Sequence, residues 1–179
     1  MDAPEFSRPL DVADLPPAGV EQEISATPEE RAALARRFGL IALDRLEARL
    51  SVKALHGGLY RVEGEIVAEA TQRCVVSLEP VPARLDAPFA STFVQASGRD
   101  APEIHLDGVG EEDDPEPLDG GRIDLGETVA QHFALALDPY PRKPGVDLAQ
   151  VVGAAPAEIS REATSSPFAK LTELNKKSR

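Results

Sequence analysis

Apolar and polar residues alternate along two long stretches of this chain. Leu46, Ala48, Leu50, Val52 and Ala54 share one side of an extended strand, with Glu47, Arg49, Ser51 and Lys53 on the other. A period of two marks a strand with one buried face. After His56-Gly57-Gly58 the same period resumes at Tyr60, Val62, Gly64, Ile66, Ala68 and Ala70. Two such runs around a Gly-Gly turn predict a β-hairpin. Leu85, Ala87, Phe89, Ser91 and Phe93 carry the pattern into a third strand within residues 84–95. Residues 6–10 and 20–24 read as two further short strands, the first an edge strand closed by Pro9.

Two segments change period. Thr27-Pro28-Glu29-Glu30 combines an N-cap, a proline in the first turn and a Glu placed to close a capping box. The helix it opens runs to about residue 38, where Gly39 stops it. Asp124 caps a second helix, with Glu127 three residues on and Leu125, Val129, Phe133, Ala136 and Leu137 on one stripe. Asp138-Pro139-Tyr140-Pro141 ends it, because a residue before proline disfavours helical geometry. The expected fold is α+β: an antiparallel sheet covered by the two main helices, with an acidic loop and a flexible C-terminal tail. Residues 1–144 form the domain, 145–165 a flexible linker with a transient helical turn near 158–162, and 166–179 a short amphipathic motif. In that motif Ser166 caps, Pro167 fits the first turn, Phe168, Leu171 and Leu174 line one side, and basic residues gather at the C-terminal end.

Composition narrows the picture. The 179 residues are 42% hydrophobic, enough for a core, yet include six Phe, two Tyr and no Trp, so Leu, Val, Ile and Ala must fill the interior. Thirty-one acidic against nineteen basic residues give a formal charge of −12. That argues against a protein that coats nucleic acid or an anionic membrane through bulk charge, and no DNA or membrane partner is expected. Residues 99–119 hold nine acidic side chains and one basic. This stretch reads as a solvated, mobile loop, or functionally as a contact for a basic partner, with Ile104 and Leu106 offering an edge strand. From Arg142 onward seven basic residues outnumber four acidic ones. Met-Asp-Ala-Pro-Glu at the start lacks the basic and apolar regions of a secretory signal, and the longest apolar run, residues 133–137, is far too short to span a bilayer. The chain reads as soluble and cytoplasmic.

Little chemistry is visible. Cys74 is the single cysteine, so one chain forms no disulfide and no thiolate-rich zinc site. It reads as a small half-buried thiol, or functionally as a reactive one whose pKa the neighbouring Arg73 lowers. His56, His105 and His132 are dispersed, and His132 reads as a surface or helix-packing residue. The acidic stretch lacks the glycine and terminal Glu of a calcium loop. Catalytic residues, cofactors and metals are expected to be absent.

Three segments together resemble the YceD family, the bacterial large-subunit ribosomal RNA accumulation proteins with plastid relatives. Thr71-Gln72-Arg73-Cys74-Val75, with Leu78-Glu79-Pro80-Val81 after it, looks like the family's Cys-x-Arg-Cys-Leu segment. Ile123-Asp124-Leu125, leading through Val129 to Leu135-Ala136-Leu137-Asp138-Pro139-Tyr140-Pro141, is similar to its helix and proline-bounded exit. Ser166-Pro167-Phe168-Ala169-Lys170-Leu171 is similar to its Asn-Pro-Phe-type terminal motif. Thr71 stands where many relatives carry a first Cys, and Arg142 and Lys143 where some carry others, so no metal site carries over. The resemblance singles out Arg73, Cys74, Asp124, Leu125, Pro139 and Pro141. It implies a non-enzymatic role in ribosome biogenesis, in accumulation or processing of 23S ribosomal RNA. Because cationic side chains are few, the expected mechanism is that of an adaptor or assembly factor contacting a ribosomal precursor, a ribosomal protein or an RNA-processing enzyme. Pro167, Phe168, Leu171 and Leu174 are its candidate docking residues. Two alternatives are a direct local contact with ribosomal RNA through Arg142, Lys143, Lys170, Lys176, Lys177 and Arg179, and a metal-dependent RNA-processing nuclease using the acidic loop.

Overall fold

The structure, a computed structural model, describes residues 4–95 and 115–146. In chain order its elements are β1 (Pro9–Asp11), β2 (Val20–Ser25), α1 (Pro28–Arg37), β3 (Ala42–Ala54), β4 (Leu59–Arg73), β5 (Pro80–Val94), β6 (Glu116–Pro117), β7 (Arg122–Asp124) and α2 (Leu125–Ala136). Short 3₁₀ turns follow β1 and join β3 to β4. The main sheet has the order β2-β3-β4-β5-β6, antiparallel except for β6 beside β5. A separate two-stranded antiparallel ladder joins β1 to β7, with Leu10 opposite Ile123.

A simple sheet covered by two helices is therefore not what forms. The fold is mostly β: among the described residues 47% are strand against 23% helical, with a second, smaller sheet. Length is the physical reason. Helices of 10 and 12 residues reach only ~15–18 Å. Strands of 13–15 residues run ~45–50 Å. Neither helix spans the sheet, and Phe6, Val12 and Ile123 join the same buried core from the N-terminal segment and the small ladder. The acidic segment through residue 114, with Ile104 and Leu106, lies outside the described residues. So do the linker and the terminal motif.

The alternation read from the sequence sets the sheet's two faces. Val52 lies opposite Val62, Leu50 opposite Gly64, Ala48 opposite Ile66 and Leu46 opposite Ala68, all facing inward. A bulge between Leu43 and Arg45 shifts the register by one residue, so that Leu43 remains buried although its parity differs from that of Leu46. Gly64 is a packing requirement. A Cβ there would sit 2.6 Å from the Arg49 carbonyl, 2.7 Å from a Leu50 methyl and 2.8 Å from the Phe89 ring, which lies across the ladder.

β5 starts at Pro80, earlier than residue 84, although Pro80, Pro82 and Pro88 all disfavour a strand. They are tolerated because β6 pairs only with Phe93 and Val94, leaving most of β5 as an edge. The three prolines share the parity of Val94, whose carbonyl points away from β4 to accept from the Leu118 amide. Their missing N–H groups therefore fall on the outer edge, where they also discourage pairing with another chain.

The helices form where their caps place them. Thr27 and Glu30 close the capping box of α1 reciprocally. Leu34 of α1 and Leu125, Val129 and Phe133 of α2 are fully buried. Phe38, just beyond α1, meets Phe133 edge-to-face at 5.8 Å between ring centres. The two helices are also tied by Arg37, whose guanidinium donates to both carboxylate oxygens of Glu127 at 2.7 and 2.8 Å.

Candidate functional site

The residues singled out by the motifs fall in two places. Asp124, at the start of α2, accepts from the amides of Gly126 and Glu127 at 3.0 and 3.2 Å. It also accepts from the Arg8 amide at 2.7 Å and from the Ser7 hydroxyl. One carboxylate thus caps the helix and fastens the N-terminal segment to it. Glu127 closes no capping box; Arg37 holds its side chain instead. Leu125 is fully buried, and a Cβ on Gly126 would lie 2.5 Å from the Phe6 carbonyl. Sequence reasoning passed over Gly126, because a lone glycine in a first helical turn does not reveal the N-terminal segment, residues 6–8, that crosses it. This region holds the fold together.

Arg73, Cys74, Pro139 and Pro141 meet at the other place. After Arg73 the chain makes a tight turn, in which the Leu78 amide donates to the Cys74 carbonyl and the Cys74 amide to the Glu79 carbonyl, at 3.0 and 2.8 Å. The segment leaving α2 crosses this turn. Its prolines keep it out of the helix, and two of its own carbonyl groups accept from the end of β4 and from the turn. The Val75 amide donates to the Pro141 carbonyl at 2.9 Å and the Gln72 side-chain amide to the Asp138 carbonyl at 2.8 Å. Lys143 Nζ lies 3.1 Å from the Glu79 carboxylate, which it holds below the usual carboxylate range.

Cys74 lies within this junction and is fully buried rather than half-buried. Its Sγ accepts from the Ser77 and Lys143 amides at 3.3 and 3.4 Å. The Ser77 hydroxyl, then the Ser77 and Lys143 amides, bring the thiol down to about 6. Arg73, expected to lower it, is not among the causes. The turn aims the Ser77 donors and the segment leaving α2 brings the Lys143 amide, so neighbouring charge in the sequence was the wrong signal.

Exposed apolar residues stand near the buried sulfur, among the exposed charges of Arg73, Glu79, Asp138, Arg142 and Lys143. Val75, Leu78 and Tyr140 are 46%, 63% and 71% exposed. Ile41 is also exposed, and its amide donates to the Thr71 carbonyl close to the end of β4. Leu78 has φ +61°, a left-handed conformation rare for a branched residue. Arg73 and Arg142 are exposed, and among the described residues neither has a carboxylate at ion-pair distance.

The outward face of the main sheet is charged. Glu23, Arg49 and Glu65 form one cross-strand row, Glu21, Ser51 and Glu63 the next. Arg49 pairs with Glu23 at 2.7 Å. Two adjoining cavities of about 540 and 600 Å³ lie here and share Glu23, Arg49 and Glu65.

His132 packs from α2 onto β5, stacked on Phe89 at 4.5 Å, with Nε2 2.7 Å from the Ser91 hydroxyl. Among the described residues no group of three or more His, Cys, Asp or Glu side chains is placed to hold a metal, and no helix is long and apolar enough to cross a membrane. Pro167, Phe168, Leu171 and Leu174 lie outside the described residues.

The sequence model of a family described as "Large ribosomal RNA subunit accumulation protein YceD" matches residues 62–175, from β4 through α2 and beyond, more than half of the chain. No curated protein and no solved structure matches.

Proposed function

Since the chain belongs to the YceD family, whose description ties it to accumulation of the large ribosomal RNA subunit, we propose that it acts as a non-enzymatic adaptor or assembly factor for 23S ribosomal RNA accumulation or processing. The observation that carries the adaptor reading is the outward face of the main sheet. There Glu21, Glu23, Glu47, Glu63 and Glu65 outnumber Arg45 and Arg49 around adjoining cavities, in a chain of net charge −12. Such a face repels phosphates and attracts cationic protein segments, and ribosomal proteins and RNA-processing enzymes are the fitting partners. The terminal motif, with Phe168, Leu171 and Leu174, supplies a second contact in a partner's groove.

Affinity purification of the tagged full chain at moderate salt, with and without RNase, tests this. Proteins retained after RNase, and lost on joint reversal of Glu63 and Glu65 to Lys, are the expected result. Ribosomal RNA recovered only before RNase, with no protein held directly, overturns the adaptor in favour of direct RNA contact. Phe168→Ala weakens the same retention while leaving the fold intact; unchanged retention removes the terminal motif from the mechanism.

A further inference from the structure

We propose that the corner formed by residues 73–79 and 138–143 is a protein-docking surface, shaped for a partner segment that is apolar at its centre and flanked by carboxylates. It is a different surface from the charged sheet face and stands or falls independently of the adaptor reading.

Three features support this. Ile41, Val75, Leu78 and Tyr140 gather large exposed apolar side chains at one end of the sheet. An apolar cluster with a polar rim is the usual anatomy of a docking site. The corner is also preformed. Val75 is bound to Pro141, Gln72 to Asp138 and Lys143 to both Cys74 and Glu79, so little ordering accompanies binding. Leu78, lastly, occupies a left-handed conformation while remaining 63% exposed. Its own burial does not offset that strain, and such residues concentrate at ligand-binding positions.

Charge selects the occupant. The chain as a whole is strongly acidic, yet this corner carries a net positive charge: the guanidinium groups of Arg73 and Arg142 are exposed, Lys143 is held by Glu79, and the one further carboxylate, Asp138, accepts from the Tyr140 amide. Among the described residues Tyr140 is the single exposed ring that this corner offers for bases to stack on, and two unpaired cations are few for a phosphate backbone. They suit carboxylates on either side of an apolar anchor, because Arg binds carboxylates bidentately.

The test uses the full chain and fluorescence anisotropy at physiological salt. One probe is a labelled dodecapeptide with a Leu-Leu-Tyr centre and Glu flanks; its counterpart carries Lys in place of every Glu. The Glu-flanked probe is expected to bind at least tenfold more tightly. Leu78→Asp and Tyr140→Ala should each weaken it about tenfold or more, and joint Arg73→Glu and Arg142→Glu should invert the preference. Leu55→Asp, at an exposed site beside the hairpin turn, should leave binding unchanged. Circular dichroism identifies any variant that fails to fold, and the arginine reversal, confined to exposed side chains, then decides the matter. No binding of the Glu-flanked probe, an undiminished affinity in Leu78→Asp and Tyr140→Ala, or an equal loss in Leu55→Asp overturns the proposal. A labelled oligouridylate that binds, and is lost on reversal of Arg73 and Arg142, overturns it in favour of RNA.

Discussion

The backbone amide of Lys143 donates to the sulfur of Cys74, 69 residues earlier, at 3.4 Å. This bond joins two segments that both lie within the residues the family model matches, and with the Ser77 donors it makes the sulfur a better anion than an ordinary thiol. Thiolate absorbance in the native protein should titrate near pH 6, against about 8.5 for an unfolded cysteine. The sign of the linkage follows. A depressed acid pKa contributes stability that is fully present above the unfolded value and is lost as pH falls through the folded one. Denaturant melts of wild type and Cys74→Ala should therefore differ most above pH 8.5, and the pH-dependent part of the difference should vanish below pH 6. A difference that stays flat across this window would show that the sulfur is protonated throughout.

Asp124 combines two tasks that a helix cap does not ordinarily combine, because Ser7 and Arg8 share the carboxylate with the first turn of α2. Asp124→Ala should lower stability by about 1–2 kcal/mol. Hydrogen exchange should rise both in α2's first turn and at the amide of Arg8. Exchange confined to the helix would show that the N-terminal segment is held by other contacts.

Gly64→Val should destabilise by about 1–3 kcal/mol, since its Cβ alone would overlap the Arg49 carbonyl, Leu50 and Phe89. Phe89→Ala removes one of the three neighbours and should recover part of that loss in the double variant. Strictly additive urea midpoints would count against a steric origin.

Arg37 and Glu127 tie α1 to α2 in a partly exposed, two-pronged ion pair. A double-mutant cycle with Arg37→Ala and Glu127→Ala should give a coupling of about 1 kcal/mol, reduced in high salt as solvent screening requires. Coupling insensitive to salt would point to packing of the arginine over Phe38 instead.

Local signals determined much of this protein by themselves. The alternation from Leu46 to Ala70 fixed which face of the central hairpin is buried, because a period of two leaves a strand no other choice. The Thr27–Glu30 box and the Asp124 cap fixed where the helices begin, since those hydrogen bonds close within one turn. The succession of three segments, residues 71–81, 123–141 and 166–171, pointed to the family whose model matches residues 62–175. The tertiary structure decided what depends on residues far apart in the chain. Three prolines lie in β5 because that strand is an edge, which its own sequence does not state. β1 and β7 are three residues each and exist only through pairing across more than a hundred residues, so the strand expected at residues 6–10 pairs only from Pro9 onward and β7 falls below any periodic signal. Cys74 became buried and acidic because a turn and a distant proline-bounded segment converge on it. Neighbours along the chain impose periodicity and caps; hydrogen-bond donors brought from elsewhere set the chemistry of a single atom.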